Sequence, residues 1–146
     1  GRTTDSYMGM ALEQDNADMS SEAAANFAID NREHVVGFKV AHYAKPDWVP
    51  IDNAIPAGDK AELPVMIDFG RSGLSLEELT MHRLRPGDIY THMYSGLRGE
   101  QEPSGKVNPA LWEGGKRGVL FDLDLAAGRP CVRRYRSCRC RTPAHP

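Results

Sequence analysis

Three residues capable of metal or acid–base chemistry lie near the ends of separate apolar runs in this sequence. Lys39 lies in VVGFKVAHY, Asp68 in LPVMIDFG and His92 in GDIYTHMY. Taken singly, each has an ordinary explanation: a solvated lysine, an aspartate that caps a loop, or a histidine hydrogen-bonded inside a core. However, a polar residue occurs near the end of each of three successive apolar runs. This recurrence predicts that the three side chains converge on one site.

Such a trio is suited to binding divalent metal ions. A desolvated lysine is partly a neutral amine, which can capture carbon dioxide as a carbamate. The two carbamate oxygens can bridge two cations, and an imidazole nitrogen and a carboxylate oxygen are further ligands, with zinc as the expected ion. Metal-activated water near neutral pH is the reagent of amide or lactam hydrolysis. Lys39, Asp68 and His92 are therefore the candidate metal ligands.

Four apolar runs provide the strands that would position these residues. They span residues 35–43, 63–70, 87–94 and 117–123. Their β-branched content and nearly continuous hydrophobicity are typical of parallel strands that are buried on both faces.

The segments between the runs carry helix-start signals. Each begins with a residue that can cap a helix: Ser20 or Ser21, Asp47, Ser75 and Asn108. Glu78 completes a capping box with Ser75, and Pro109 follows Asn108 at the first helical position, where proline loses no hydrogen bond. Pro56 should kink or interrupt the helix that begins at Asp47. Strand and helix are thus predicted to alternate.

Repeating units of about 25 to 30 residues are the size of one βα repeat in a parallel sheet. An open doubly wound sheet and a (β/α)8 barrel both fit this rhythm. Polar residues at the strand ends favour the barrel, because all carboxyl ends of a parallel barrel face one mouth. Residues 1–123 are therefore predicted to be an α/β domain, a partial TIM (β/α)8 barrel of about four βα units.

Several of these segments resemble a known enzyme family. VVGFKVAHY, PVMIDFGR, LRPGDIYTHMYSG and GKVNPALWEGGKRGVLFD are similar to the dihydroorotase-like amidohydrolases of the amidohydrolase/deacetylase group, from about Met10 to Leu123. The resemblance implies a TIM barrel with a binuclear centre. In that family, the binuclear metal centre is held by His-x-His on the first strand, a carboxylated lysine on the fourth, histidines on the fifth and sixth, and an aspartate base on the eighth. By motif position, Lys39 matches the lysine and His92 the sixth-strand histidine.

Asp68 departs from this pattern, since it stands where many family members have the fifth-strand histidine. The departure leaves open a branch that uses carboxylate there, a site with one metal, or a different metal. His42 is a second candidate polar group close to Lys39. Arg71, just after Asp68, is a candidate to bind a substrate carboxylate through two hydrogen bonds.

The function that the resemblance implies is metal-dependent hydrolysis of a cyclic amide or an N-acyl bond in a small-molecule substrate. Two alternatives stay open. Lys39 could form a Schiff base in an aldolase-like barrel, which borohydride trapping would reveal. The chain could instead be a truncated, non-catalytic barrel fragment.

Parts of the implied site are missing from the sequence. No His-x-His occurs, and no eighth-strand aspartate follows Leu123. Metal-assisted hydrolysis needs a complete set of ligands and a positioned base, so this polypeptide alone is expected to be inactive. The start at Gly1 without Met suggests that upstream sequence is missing.

Residues 124–146 form a second region with a different composition. GRPCVRRYRSCRCRTPAHP contains six arginines and no acid, and it holds all three cysteines: Cys131, Cys138 and Cys140. Their spacing does not favour a zinc site. We predict that this non-native-looking tail is disordered, and a frameshift is our hypothesis for its origin; an arginine-rich arm that binds nucleic acid is the less favoured alternative.

Composition sets the remaining expectations. The chain has 40% hydrophobic and 26% charged residues, as globular proteins do, and a net charge of −2. No apolar run long enough to span a membrane and no signal pattern occurs, which makes a cytoplasmic location the default and a membrane partner unexpected. A half barrel exposes sheet edges, so self-association and poor solubility are predicted.

Overall fold

A computed structural model describes residues 14–41, 43, 45–68, 74–93 and 99–123, and the core of this part is one parallel sheet. Its four strands are β1 (Phe38–Val40), β2 (Val65–Ile67), β3 (Ile89–Tyr90) and β4 (Leu120–Phe121). They are hydrogen-bonded in the order β1-β2-β3-β4, and every pair is parallel. Each strand lies within one of the predicted apolar runs. The prediction of a mixed α/β fold with four parallel strands is therefore confirmed.

One face of the sheet packs against helices and forms the core. The row in register on this face is Val40, Ile67, Tyr90 and Phe121. Ile67 and Tyr90 are fully buried, and Val40 and Phe121 pack against the same cluster. Because side chains alternate along a strand, the intervening residues lie on the opposite face.

The opposite face, which we call the open face, carries the row Lys39, Met66, Ile89 and Leu120. Lys39 is exposed, Met66 and Ile89 are half-buried, and Leu120 is 55% exposed. Among the residues that the structure describes, the helices therefore pack against one face of the sheet.

The helical segments form a layer over the other face. A short 3-10 turn (Asn16–Asp18) precedes α1 (Ser21–Asp30), α2 (Val49–Ala61), a π-helix (Glu78–Arg83) and α3 (Pro109–Lys116). Neighbouring contacts follow the order α1, α2, π-helix, α3. Right-handed crossovers between sequential parallel strands place their helices on the same side, which accounts for this layer.

The first helix begins where the sequence predicts. The Ser20 hydroxyl oxygen accepts a hydrogen bond from the Ala23 N–H at 3.2 Å, so Ser20 is the N-cap of α1. Such a bond satisfies one of the backbone donors left free at a helix start.

The second helix corrects two expectations. It begins at Val49, not at Asp47, although the Asp47 carboxylate accepts from the Val49 N–H at 3.1 Å. Pro56 lies inside the helix, which continues without interruption to Ala61. Helix α2 packs against α1 and the strands, and it buries Ile51, Ala57 and Ala61. This tertiary packing outweighs the loss of one helical hydrogen bond at Pro56, so the helix continues past the proline.

The third helical segment forms as a π-helix after a single α-helical turn. The Ser75 hydroxyl accepts from the Glu78 N–H at 3.2 Å, as one half of a capping box requires. The Glu78 carboxylate, however, lies 3.4 Å from Nε of Arg83. The wide turn buries Thr80 completely, and its hydroxyl donates to the Ala110 carbonyl of α3 at 3.1 Å.

Helix α3 begins at Pro109 with Asn108 as its N-cap, as predicted. The Asn108 side-chain oxygen accepts from the Ala110 N–H, and its amide nitrogen donates to the Gly99 carbonyl, both at 3.0 Å. Asn108 thus joins the helix to the preceding loop.

Replacing Asn108 with alanine should lower the free energy of unfolding by about 1 kcal/mol, because the cap bond is lost. Urea denaturation followed by circular dichroism would measure the change. Lys106→Ala, at an exposed position of the same loop, is the control and should leave stability nearly unchanged. Equal stability of the Asn108 variant and the control would contradict the cap assignment.

A buried ion pair ties the amino ends of the strands together. Asp88 is 1% exposed, and its carboxylate accepts from the N–H groups of Val65 and Arg85, both at 2.8 Å. The Arg85 guanidinium donates to the same carboxylate at 2.8 and 3.0 Å, to the Leu63 carbonyl at 3.0 Å and to Asp59 at 2.5 Å. The hydrogen bond to Asp88 raises the pKa of the Arg85 guanidinium above its usual value. This cluster fixes β2, β3 and the end of α2.

In the part of the chain that the structure describes, no helix has the length and apolarity needed to cross a membrane. The region 124–146, His42 and Arg71 lie outside the described residues. The expectations for them therefore stay predictions.

Candidate functional site

Asp68 lies at the carboxyl end of β2 and continues the ladder beyond the strand. Its N–H donates to the Val40 carbonyl at 2.8 Å. Asp68 follows Met66 by two residues, so the pleat places its side chain on the open face. The residue is 5% exposed, which puts a carboxylate in a largely water-free position.

His92 follows β3 at the same edge of the sheet. Its φ of 59° lies in the left-handed region, which a non-glycine residue adopts infrequently. The neighbouring backbone is held on both sides, because the Thr91 N–H donates to Ile67 O and the Met93 N–H to Asp122 O, both at 3.1 Å. The strained backbone thus directs the imidazole back toward β2.

The two side chains meet. Nε2 of His92 lies 2.9 Å from Oδ2 of Asp68, and His92 is only 8% exposed. A carboxylate oxygen accepts hydrogen bonds, so this contact fits the tautomer of His92 that carries a proton on Nε2. In a site with so little water, the attraction between the two groups is stronger than it would be at the surface. The structure therefore brings together two of the three predicted ligands.

Lys39 lies on the open face of β1, one layer below Asp68. Its register partner is Met66, two residues before Asp68, and its side chain is exposed. Within the described residues, its ammonium group forms no hydrogen bond or ion pair with Asp68 or His92. Lys39 instead borders a cavity of about 370 Å³ that lies between α1, α2 and β1. It shares a sheet face with the pair but does not contact it.

Thr91 and Asp122 are polar residues of this edge that the sequence reasoning missed. Asp122 follows β4 as Asp68 follows β2, and the Thr91 hydroxyl donates to Oδ2 of Asp122 at 2.7 Å. A signal for Asp122 was present: VMID and VLFD both place an aspartate directly after a hydrophobic run.

The 2.9 Å between Nε2 of His92 and Oδ2 of Asp68 is the length of a direct hydrogen bond. Two donor atoms of a tetrahedral zinc site lie farther apart, at roughly 3.3 Å, so the pair would have to separate slightly to hold one ion. Among the described residues, however, no group of three or more histidine, cysteine, aspartate or glutamate side chains is arranged to hold a metal ion. The described part therefore offers two ligands and not a complete set.

No protein-family model matches the chain, and no curated protein matches it.

Proposed function

We propose that this chain is part of a metal-dependent hydrolase of the amidohydrolase type, which cleaves a cyclic amide or an N-acyl bond of a small molecule. The observation that carries the proposal is the buried contact between Asp68 and His92 at the carboxyl ends of two adjacent parallel strands. Carboxyl ends of parallel strands are where α/β proteins place their ligands.

We further propose that the four βα units belong to a (β/α)8 barrel. A doubly wound sheet reverses its strand order at a switch point, whereas the order here runs β1-β2-β3-β4 without reversal. A layer of helices lies on one face of the sheet, as it does outside a barrel. The open face would then line the barrel interior, and Asp68 and His92 would lie at its mouth.

The donor chemistry of the pair supports a metal role. A carboxylate oxygen and an imidazole nitrogen are both ligands of zinc, and the cation would replace the proton that they now share. Lys39, on the same face, is the third proposed ligand; its side chain is exposed and does not contact the pair, so it would have to turn toward Asp68 and be carboxylated to take part. A zinc ion bound there would supply a water of lowered pKa and polarise the scissile carbonyl.

The residues of the chain have distinct tasks in this proposal. Asp68 provides negative charge in a dry position, which strengthens its attraction for a cation. His92 presents Nε2 beside it, and the left-handed backbone holds the ring in place. Backbone strain of this kind is concentrated at functional sites, which is a second reason to place the site here. Arg71 is the proposed partner of a substrate carboxylate.

Titration with Co²⁺, followed by its visible absorption, tests the proposed ligands. The unaltered chain should bind the ion, and His92→Ala and Asp68→Ala should each weaken binding by about tenfold or more, since even supporting residues around a metal contribute that much. His82→Ala is the matched control, because His82 is an exposed histidine on the π-helix, and binding should not change. Equal weakening by His82→Ala, or unchanged binding by His92→Ala, would contradict the site.

Catalysis requires a separate measurement. Release of amine from N-acyl amino acids, and ring opening of cyclic imides, should be assayed with Zn²⁺ and after chelation, with the chain in its complete parent protein. Activity that chelation removes and Zn²⁺ restores is expected. Turnover that persists after full removal of metal would overturn the hydrolase proposal.

A further inference from the structure

We propose that Asp122 is a positioning residue for His92: together with Thr91, it holds a β-bulge that turns the imidazole toward Asp68. The bulge follows from hydrogen bonds of the described residues and does not depend on a metal ion. Its purpose, which is to present Nε2 to a metal, rests on the proposed function. Asp122 follows β4, is exposed and is not one of the proposed ligands.

The hydrogen-bond ladder between β3 and β4 changes its step at His92. The Asp122 N–H donates to the Tyr90 carbonyl at 2.9 Å, as the next step of a parallel ladder requires. In a regular ladder, the Asp122 carbonyl would then accept from the residue two positions after Tyr90, which is His92. It accepts instead from the Met93 N–H at 3.1 Å. His92 is therefore one extra residue in this strand, which defines a β-bulge.

The bulge determines which face of the sheet the imidazole reaches. Tyr90 lies on the helix-facing side of β3. Regular alternation would place Thr91 on the open face and return His92 to the helix-facing side, away from Asp68. The left-handed backbone at His92, with φ of 59°, breaks this alternation, and Nε2 reaches Oδ2 of Asp68 at 2.9 Å. Bulges next to active sites redirect side chains in this way.

Asp122 contacts the residues on both sides of His92. Its carbonyl accepts from the Met93 N–H, and Oδ2 of its side chain accepts from the Thr91 hydroxyl at 2.7 Å. The Thr91 N–H donates to the Ile67 carbonyl at 3.1 Å, which ties the same residue to β2. A left-handed conformation at a non-glycine residue persists where the surrounding structure holds it in place. Two of these three hydrogen bonds are made by Asp122.

The two partners of the side-chain hydrogen bond differ in exposure. Thr91 is 1% exposed, whereas Asp122 is exposed. The buried hydroxyl is kept from water, so loss of its acceptor is not readily compensated. Replacing the exposed aspartate, by contrast, leaves no charged group buried. Asp122 variants should therefore fold, and they can be compared directly with the unaltered chain.

Proton NMR in water, with metal removed by chelation, tests the positioning role. The Nε2 proton of His92 should give a slowly exchanging resonance, because it is hydrogen-bonded and the residue is 8% exposed. His92→Ala assigns this resonance by its loss. Thr91→Val keeps the side-chain volume but removes the hydroxyl, and Asp122→Ala removes the acceptor. We expect both variants to lose the resonance while circular dichroism shows that they retain their helices.

Conservative variants separate positioning from a general loss of stability. Thr91→Ser retains the donor and Asp122→Asn retains an acceptor oxygen, so both should retain the resonance. Thr80→Val is the matched control, because the fully buried Thr80 hydroxyl donates to the carbonyls of Leu76 and Ala110 at 3.0 and 3.1 Å. Its removal should lower stability but leave the resonance in place. Loss of the resonance from a folded Thr80→Val chain, its persistence in Thr91→Val and Asp122→Ala, or its absence from the unaltered chain would overturn the proposal.

Co²⁺ titration separates this proposal from the proposed function. Thr91→Val and Asp122→Ala should each raise the dissociation constant for Co²⁺ by about tenfold, as changes in residues that support metal ligands do. Thr91→Ser and Asp122→Asn should bind nearly as the unaltered chain does. If the resonance responds as expected but the unaltered chain binds no Co²⁺, the positioning role stands and the metal site is rejected. If Co²⁺ binds and neither Thr91→Val nor Asp122→Ala changes the resonance or the affinity, the metal site stands and Asp122 has no positioning role.

Discussion

Replacing Asp88 with alanine is expected to lower the free energy of unfolding by about 3 to 5 kcal/mol, as does the loss of one partner from other buried ion pairs. The carboxylate is 1% exposed and accepts from two backbone N–H groups and twice from the Arg85 side chain. Its removal leaves the guanidinium without its main partner and the Val65 N–H without this acceptor. Urea denaturation at one fixed protein concentration would measure the change, since self-association also affects stability.

Asp59→Ala is the matched control for this prediction. Asp59 binds the same guanidinium, at 2.5 Å, but its side chain is 63% exposed. Exposed ion pairs contribute about 0 to 1 kcal/mol, so this variant should be nearly as stable as the parent chain. Similar destabilisation by both variants would show that burial of Asp88 does not determine its contribution.

Replacing Tyr90 with alanine should cost about 3 to 5 kcal/mol of unfolding free energy, the range found when large aromatic side chains are removed from a core. Tyr90 is the largest of the fully buried side chains described. Its ring lies edge-on to Phe121, with centroids 6.0 Å apart. Alanine would leave a cavity between the sheet and the helical layer, and denaturation would show the loss.

Tyr90→Phe separates the hydroxyl from the ring. The hydroxyl donates to Oε1 of Glu100 at 3.1 Å, and Glu100 is fully buried. Loss of this bond weakens the solvation of a buried carboxylate, for which about 1 to 3 kcal/mol is expected. The phenylalanine variant should therefore lie between the parent and the alanine variant. If it is as unstable as alanine, the hydroxyl and not the ring volume dominates.

The strands could be predicted because their signal is local. Nearly continuous apolar runs such as LPVMIDFG are typical of parallel strands. The expected burial on both faces is not found among the described residues, since Met66 and Ile89 are half-buried and Leu120 is exposed. The caps Ser20 and Asn108 were equally readable, since a cap depends on its own side chain and the next turn. The π-helix at Glu78–Arg83 could not be predicted in this way, because it depends on the contact between Thr80 and α3. The continuity of α2 through Pro56 was not readable for a similar reason: packing from elsewhere in the chain holds the helix together.

The candidate site was only partly predictable. The position of Asp68 and His92 at strand ends follows from the sequence, and so does their location at one edge of a parallel sheet. Their contact also depends on the left-handed backbone at His92, which no residue pattern around it indicates. Lys39 is exposed because β1 is an edge strand of the described sheet. The order of the strands determines which strand lies at an edge, and the run VVGFKVAHY alone does not indicate it.

The Arg85–Asp88 cluster lies at the amino ends of the strands, whereas Asp68 and His92 meet at the carboxyl ends. Substitutions that reshape the loops around the pair can therefore alter ligand preference while the opposite rim keeps β2, β3 and α2 in place. A polypeptide built in this way can acquire new chemistry in evolution without first becoming less stable.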